Sequence, residues 1–265
     1  MARPWAVVTG ASSGIGAAYA ARLAGDGWDL SIVARRRDRL DALAGRLTAD
    51  HGVDVEVLAA DLGSPGQLAQ LVDEVERRGP DMLVNAAGLA YYMPFAQLPG
   101  DKARELVEVN VLAPVLLCRA ALPSMRERGS GSIVNVASLL AFSGAVEAPF
   151  MPRRAVYAAT KSFLVTYSEI LAGEVRGDGV RVQVVCPGVV RSEFHSRQGL
   201  DLSDVPAMEP ELVVEASLAD LETGAVVSVP GLADLGLLGR VAEADSAMLG
   251  STRATALPDR YRRTR

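Results

Sequence analysis

"WAVVTGASSGIGAAYAARLA", residues 5–24, decides the fold. It opens as a short apolar, valine-rich run and closes on alanine, tyrosine and leucine at helical intervals. Between the two, Gly10, Gly14 and Gly16 form a GxxxGxG turn with Ser12, Ser13 and Ile15 in its gaps. One glycine permits the tight turn, another lets phosphate oxygens approach the backbone, and the last lets the helix pack on the sheet. A helix starting there offers a pyrophosphate unpaired N–H groups and the positive end of its dipole. These residues are therefore candidates for dinucleotide binding.

Reading outward, runs rich in valine and isoleucine recur at 5–9, 30–34, 55–60, 82–88, 132–138, 180–188 and 225–231. Helical patterns such as "RDRLDALAGRLTADHG" and "KARELVEVNVLAPVLLCRAALPSM" lie between them, and Gly27, Gly52 and Gly79 read as helix stops. Regular alternation of strand and helix means βαβ units, and continuously apolar strands mean a parallel sheet covered on both faces. The expected fold is α/β, a Rossmann-type doubly wound parallel sheet of seven strands in a single domain spanning residues 1–232. Residues 233–265 read as a C-terminal extension or tail. In such sheets ligands bind beyond the carboxyl ends of the strands.

With 265 residues, 49% of them hydrophobic, the chain can bury a substantial core. A net charge of -5 argues against a nucleic-acid partner, which needs a basic face. The arginine-rich "RATALPDRYRRTR" at the end of the chain reads as a solvated tail. Cys118 and Cys186 read as core thiols, and no Cys/His spacing suggests a metal. Neither a signal peptide nor an uninterrupted apolar membrane span is found, so the expectation is a soluble cytoplasmic protein.

The second strand ends in "SIVARRRDRL". A site for NAD places a carboxylate there for the ribose 2′-hydroxyl, whereas Arg35 and Arg36 suit a 2′-phosphate. Asp29 lies at the wrong end of the strand to compete. NADP(H) is the expected cofactor, with Arg35 ahead of Arg36 because it comes first after the strand.

Together "TGASSGIG", "ADL" (60–62), "LVNAAG" (83–88), Asn110 in "EVNVLAP", Ser138 in "IVNVAS", "YAATK" (157–161) and "CPGVVRSEF" (186–194) resemble the short-chain dehydrogenase/reductase family. The resemblance covers roughly residues 5–194, and the wording is most similar to bacterial NADP-type short-chain oxidoreductases. It implies that Asp61, beside Leu62, contacts adenine, and that Asn85, Ala86, Ala87 and Gly88 lie along the adenosine ribose. The Pro187, Gly188, Val190 and Ser192 loop would hold the nicotinamide carboxamide. Family members usually read NNAG where this chain reads NAAG, and threonine where it has Ser192.

Tyr157 and Lys161, four apart on a helix, share a face. A free tyrosine titrates near about pH 10, and a neighbouring ammonium, together with the positive charge of an oxidised nicotinamide, is expected to lower that value. Tyr157 then serves as general acid in carbonyl reduction and general base in alcohol oxidation. Ser138, just past a strand, can stabilise developing alkoxide charge. The family implies that Lys161 also binds the nicotinamide ribose and that Asn110, awkward in mid-helix, supports a water chain to Lys161. The implied activity is hydride exchange between NADP(H) and a small-molecule carbonyl or secondary alcohol, by a homodimer or homotetramer. An NAD-dependent alcohol dehydrogenase and a catalytically silent nucleotide sensor are the alternatives.

Ser138 and Tyr157 are nineteen positions apart, where family members commonly have about a dozen. The extra residues make 139–156 an apparent insertion at the pocket mouth. Phe142, Val146, Phe150 and Met151 are candidates for an apolar wall, Arg153 and Arg154 for an acidic substrate group. The proline-bearing segment 193–215, with His195, reads as a substrate cover.

Overall fold

The computed structural model describes residues 3–146, 151–201, 204–251 and 261. Strands β1 (Trp5–Thr9), β2 (Asp29–Ala34), β3 (Val55–Ala59), β4 (Met82–Asn85), β5 (Gly131–Val136), β6 (Val180–Val185) and β7 (Val227–Ser228) form one seven-stranded sheet. Every pairing is parallel, in the order β3-β2-β1-β4-β5-β6-β7. Chain order reverses between β1 and β4, so the loops leaving these two strands diverge and open a crevice there.

Consecutive strand residues feed opposite faces, as a period of two requires. Ala6 and Val8 pack with helices α1 (Gly14–Gly25), α2 (Arg37–His51) and α8 (Pro210–Glu222). Val7 packs on the other side with α3 (Pro65–Arg78), α5 (Ala113–Arg128) and the end of α6 (Ala155–Glu174). Both faces are thus covered, as the unbroken apolar strands imply. The expected helix stops hold: Gly27, Gly52 and Gly79 all have positive φ.

Several strands end earlier than the apolar runs suggest. Residues 86–88 leave the sheet because the β4–β5 pairing stops at Asn85↔Asn135, and the Ala87 N–H turns to Thr9 Oγ1 (3.1 Å). At the sheet edge, β7 contributes only Val227 and Ser228, paired with Val184 and Val185.

Residues 100–128 form one helical run in three parts: α4 (Gly100–Val107), a π-helical turn (Glu108–Leu112) and α5. By length and composition this run could cross a bilayer, a property that counting uninterrupted apolar residues does not flag. Leu106, Ala113, Leu117, Ala121 and Met125 on it are nonetheless buried in the protein. The sheet and α1 to α8, α7 being the short helix Glu193–Ser196, belong to a unit running to Pro230. A second unit, Gly231–Arg265, carries α9 (Gly236–Ser251). Most of the arginine-rich tail lies outside the described residues.

Candidate active site

A cavity of about 1020 Å³ opens at the carboxyl ends of the strands. Of the residues expected to bind cofactor or catalyse, all line it except Asn85 and Asn110. One side is the glycine turn. There a Cβ on Gly10 would stand 2.7 Å from Ala86 O and Ala87 N, and one on Gly16 would stand 2.5 Å from Gly10 O. Any side chain at either position would force the turn off the β4 loop or off the start of α1. Asn85 points away instead: it is buried and donates to Asn135 Oδ1 (2.9 Å). Asn135 in turn donates to Ser168 Oγ (2.9 Å), so Asn85 fixes the strand ends rather than facing a ligand.

At the end of β2 the two arginines diverge. Arg36 Nη2 donates to Ser12 Oγ (2.8 Å) and Ser13 Oγ (3.0 Å) and pairs with Glu193 at 2.5 Å. Its Nη1 is buried without a hydrogen-bond partner among the described residues. Arg35 is 56% exposed and lies 3.8 Å from Glu105. Asp29 sits at the far end of the strand, where it accepts from Asp54 N (2.9 Å). An arginine with an unused buried donor beside two hydroxyls and a helix N-terminus fits a phosphate. The site therefore has donors suited to the phosphates of a nicotinamide dinucleotide.

The other end of the cavity holds Ser138, Tyr157 and Lys161. Ser138 follows β5, and its Oγ accepts from Leu140 N (3.2 Å), which orients the hydroxyl. The Tyr157 hydroxyl is hydrogen-bonded to Ser138 and Tyr92. Burial is the largest influence on it and pushes its pKa up to about 12, against the opposing pull of those two hydrogen bonds. Burial, rather than Lys161, leads here. The Lys161 ammonium is 5.9 Å from the ring centroid and donates to Val136 O (2.9 Å), while burial draws its own pKa down to about 8. Desolvation outweighs the weakened charge. At neutral pH the resident form is the phenol.

Asn110 sits inside the π-helical turn, which explains how an amide fits mid-helix. Its Nδ2 donates to Leu89 O (2.9 Å) and Thr160 Oγ1 (3.1 Å), and its Oδ1 accepts from Leu89 N (3.0 Å). Thr160 Oγ1 then donates to Tyr157 O (2.7 Å). Asn110 thereby joins the β4 loop to the helix bearing Tyr157 and Lys161. A Cβ on Gly88 would lie 3.3 Å from Lys161 Nζ and 3.5 Å from Asn110 Oδ1, so the three meet at one point.

Residue-by-residue reading misses Thr9, Thr160 and Tyr92. The threonines look like ordinary β-branched packing residues, and Tyr92 carries no motif. The long loop after Ser138 also differs from expectation. Met151 lines the cavity, whereas Phe142, Val146, Arg153 and Arg154 do not, and Phe150 lies outside the described residues. Arg154 is consumed within the loop, donating to Ser143 Oγ (2.8 Å), Ser143 O (3.1 Å) and Val146 O (3.2 Å). His195 and Phe194 of the 193–215 segment do line the cavity. Cys118 and Cys186 are buried, as expected.

Comparison with known proteins agrees with this geometry. A family model described as short chain dehydrogenase matches residues 4–202. A short-chain dehydrogenase from Sphingobium yanoikuyae, solved in complex with NADPH, is 36% identical. The alignment covers 98% of this chain and 100% of that one, with a TM-score of 0.91. A bulky-bulky ketone specific alcohol dehydrogenase from Comamonas testosteroni is 31% identical over 97% of this chain and 98% of its own, with a TM-score of 0.87. A short chain dehydrogenase from Pseudocercospora fijiensis is 39% identical over 193 residues. That match spans 71% of this chain and 60% of the relative's length.

Proposed function

The chain belongs to the short-chain dehydrogenase family of nicotinamide-dependent oxidoreductases, and on that premise we propose that it is an NADP(H)-dependent reductase of ketones with Tyr157 as the proton donor. The observation that carries the reading is the Tyr157 hydroxyl, protonated by burial and hydrogen-bonded to Ser138, in a cavity whose opposite end holds the partly unpaired Arg36. Bound in that cavity, NADP(H) would supply or accept the hydride. Ser13, Arg36 and the start of α1 would hold its phosphates, and Lys161 would hold the nicotinamide ribose.

The substrate oxygen would take hydrogen bonds from Ser138 and Tyr157, so that charge developing on it is met by two donors already in place. Tyr157 then gives up its proton to that oxygen. A phenol held up to about 12 suits this direction, because it keeps its proton until the oxygen becomes basic. Leu139, Leu140, Met151, Phe194 and Val205 give the cavity apolar walls, which favour a ketone with sizeable apolar substituents. The likeness to an enzyme named for bulky-bulky ketones supports the same class.

The test is reduction of a ketone panel, from propanone to diaryl ketones, with NADPH and with NADH. Turnover with NADPH on bulky ketones, lost in Tyr157→Phe, is expected. Preference for NADH would overturn the cofactor assignment, and full activity of Tyr157→Phe would overturn the role of the tyrosine.

A further inference from the structure

Tyr92 lies in the loop after β4 that Asn110 pins through Leu89. Its ring meets Tyr157 edge-on, with centroids 5.5 Å apart at 75°, and the two phenols are hydrogen-bonded. On its other side Tyr92 stacks against His195, with centroids 6.4 Å apart and planes at 15°. Phe194 closes the group, 5.4 Å from His195 and 6.1 Å from Tyr157. All four side chains line the cavity. Tyr92 is thus fixed on two sides with its hydroxyl on the reacting oxygen of Tyr157.

We propose that Tyr92 is a positioning residue for the proton transfer: its phenol donates to Tyr157 Oη and, with Ser138, holds that oxygen toward the substrate. The inference rests on Tyr157 being the acid/base. In reduction the Tyr157 O–H bond breaks, its proton goes to the substrate oxygen, and the phenolate left behind accepts from Tyr92, the single Ser138 proton being engaged by the substrate oxygen. The titratable groups facing this pair are Lys161 on the same helix and His195 on α7. Burial holds His195 below the usual histidine range, so it stays neutral at and above pH 7. Burial also raises Tyr92 itself, so it remains a donor where Tyr157 ionises.

Tyr92→Phe keeps the ring and removes only the hydroxyl. In secondary-alcohol oxidation, where Tyr157 must be ionised, the rising limb of the pH–kcat profile should move up by about one pH unit, with KM changed less than about twofold. In the unliganded full-length protein, the 13Cζ resonance of Tyr157, assigned by its absence in Tyr157→Phe, should shift at pH 8. An unmoved limb together with an unmoved resonance would overturn the proposal, as would an effect confined to KM. Activity surviving in Tyr157→Phe would instead defeat the acid/base reading, whatever Tyr92→Phe does.

Discussion

Arg36 and Glu193 are 2.5 Å apart, and the same guanidinium nitrogen also donates to Ser12 and Ser13. One arginine therefore spans the end of β2, the glycine turn and the start of the substrate-side segment. Arg35, exposed and near Glu105, has no such setting. Arg36→Ala should raise the KM for NADPH by about 10- to 100-fold, the range for losing a charge-assisted hydrogen bond, and leave that for NADH nearly unchanged. Arg35→Ala should do less. Initial rates with both nucleotides check the order, and a larger effect at Arg35 would reverse it.

Glu193 gathers Arg36, Arg39 (3.0 Å) and Arg197 (3.1 Å). The Arg36 hydrogen bond leads in holding its carboxyl down to about 2. A depressed carboxyl stabilises the fold above its unfolded value, and that contribution is lost as pH falls through the window between the unfolded value and about 2. At pH 7, Glu193→Gln should speed amide exchange across residues 193–201 while strands β1 and β4 exchange as before. Unchanged exchange in that segment would show that the ion pairs do not hold it.

Lys161 is a buried cation whose value has fallen to about 8 from 10.5. Between those values the folded protein binds fewer protons than the unfolded chain, so stability rises with pH there, and the cost is complete below about 8. At about 1.4 kcal/mol per unit, that cost is at most roughly 3.5 kcal/mol. Lys161→Met should therefore abolish turnover yet raise stability at pH 7. The gain should shrink as pH climbs toward 10.5. Urea unfolding of both proteins at pH 7 and pH 10 tests it, and a destabilised Lys161→Met at pH 7 contradicts it.

Asn110→Ala removes three hydrogen bonds at once and leaves the partly buried Leu89 backbone groups without their partner. A loss of about 1–3 kcal/mol in stability is expected, with kcat lowered because the β4 loop and Tyr157 are no longer tied together. Thr160→Val should show a milder form of both effects. Thermal unfolding and steady-state rates measure the pair, and a wild-type Asn110→Ala would show that the loop is held by other contacts.

What the sequence makes legible is what local spacing encodes. Gly10 and Gly16 are identifiable because no other residue fits where they stand, and Tyr157 with Lys161 because four residues along a helix returns to the same face. The strands can be read because each is a short run rich in valine, isoleucine or leucine, even at the edge, where β3 alternates with Glu56 and is only partly buried. Strand ends are less visible: residues 86–88 are as apolar as a strand, but a single threonine hydroxyl on β1 turns them away. Contacts made across long separations leave no pattern at all. Nothing near Arg154 announces that it will bind the carbonyls of Ser143 and Val146, and nothing near Tyr92 announces Tyr157.

The π-helical turn at Glu108–Leu112 acts as a phase shifter. A π turn amounts to one residue more than an α-helix would use, and one residue is about 100° of rotation. Because of that offset, a single helical run serves two surfaces that a regular helix could not face together. Leu106 points into the aromatic cluster around Tyr157, while Leu117 and Ala121 point into the core against the sheet. Deleting any one residue from the turn would restore uniform spacing and swing one half out of register with its surface. Length, rather than side-chain identity alone, is what this stretch of chain must conserve for Asn110 to reach the loop it holds.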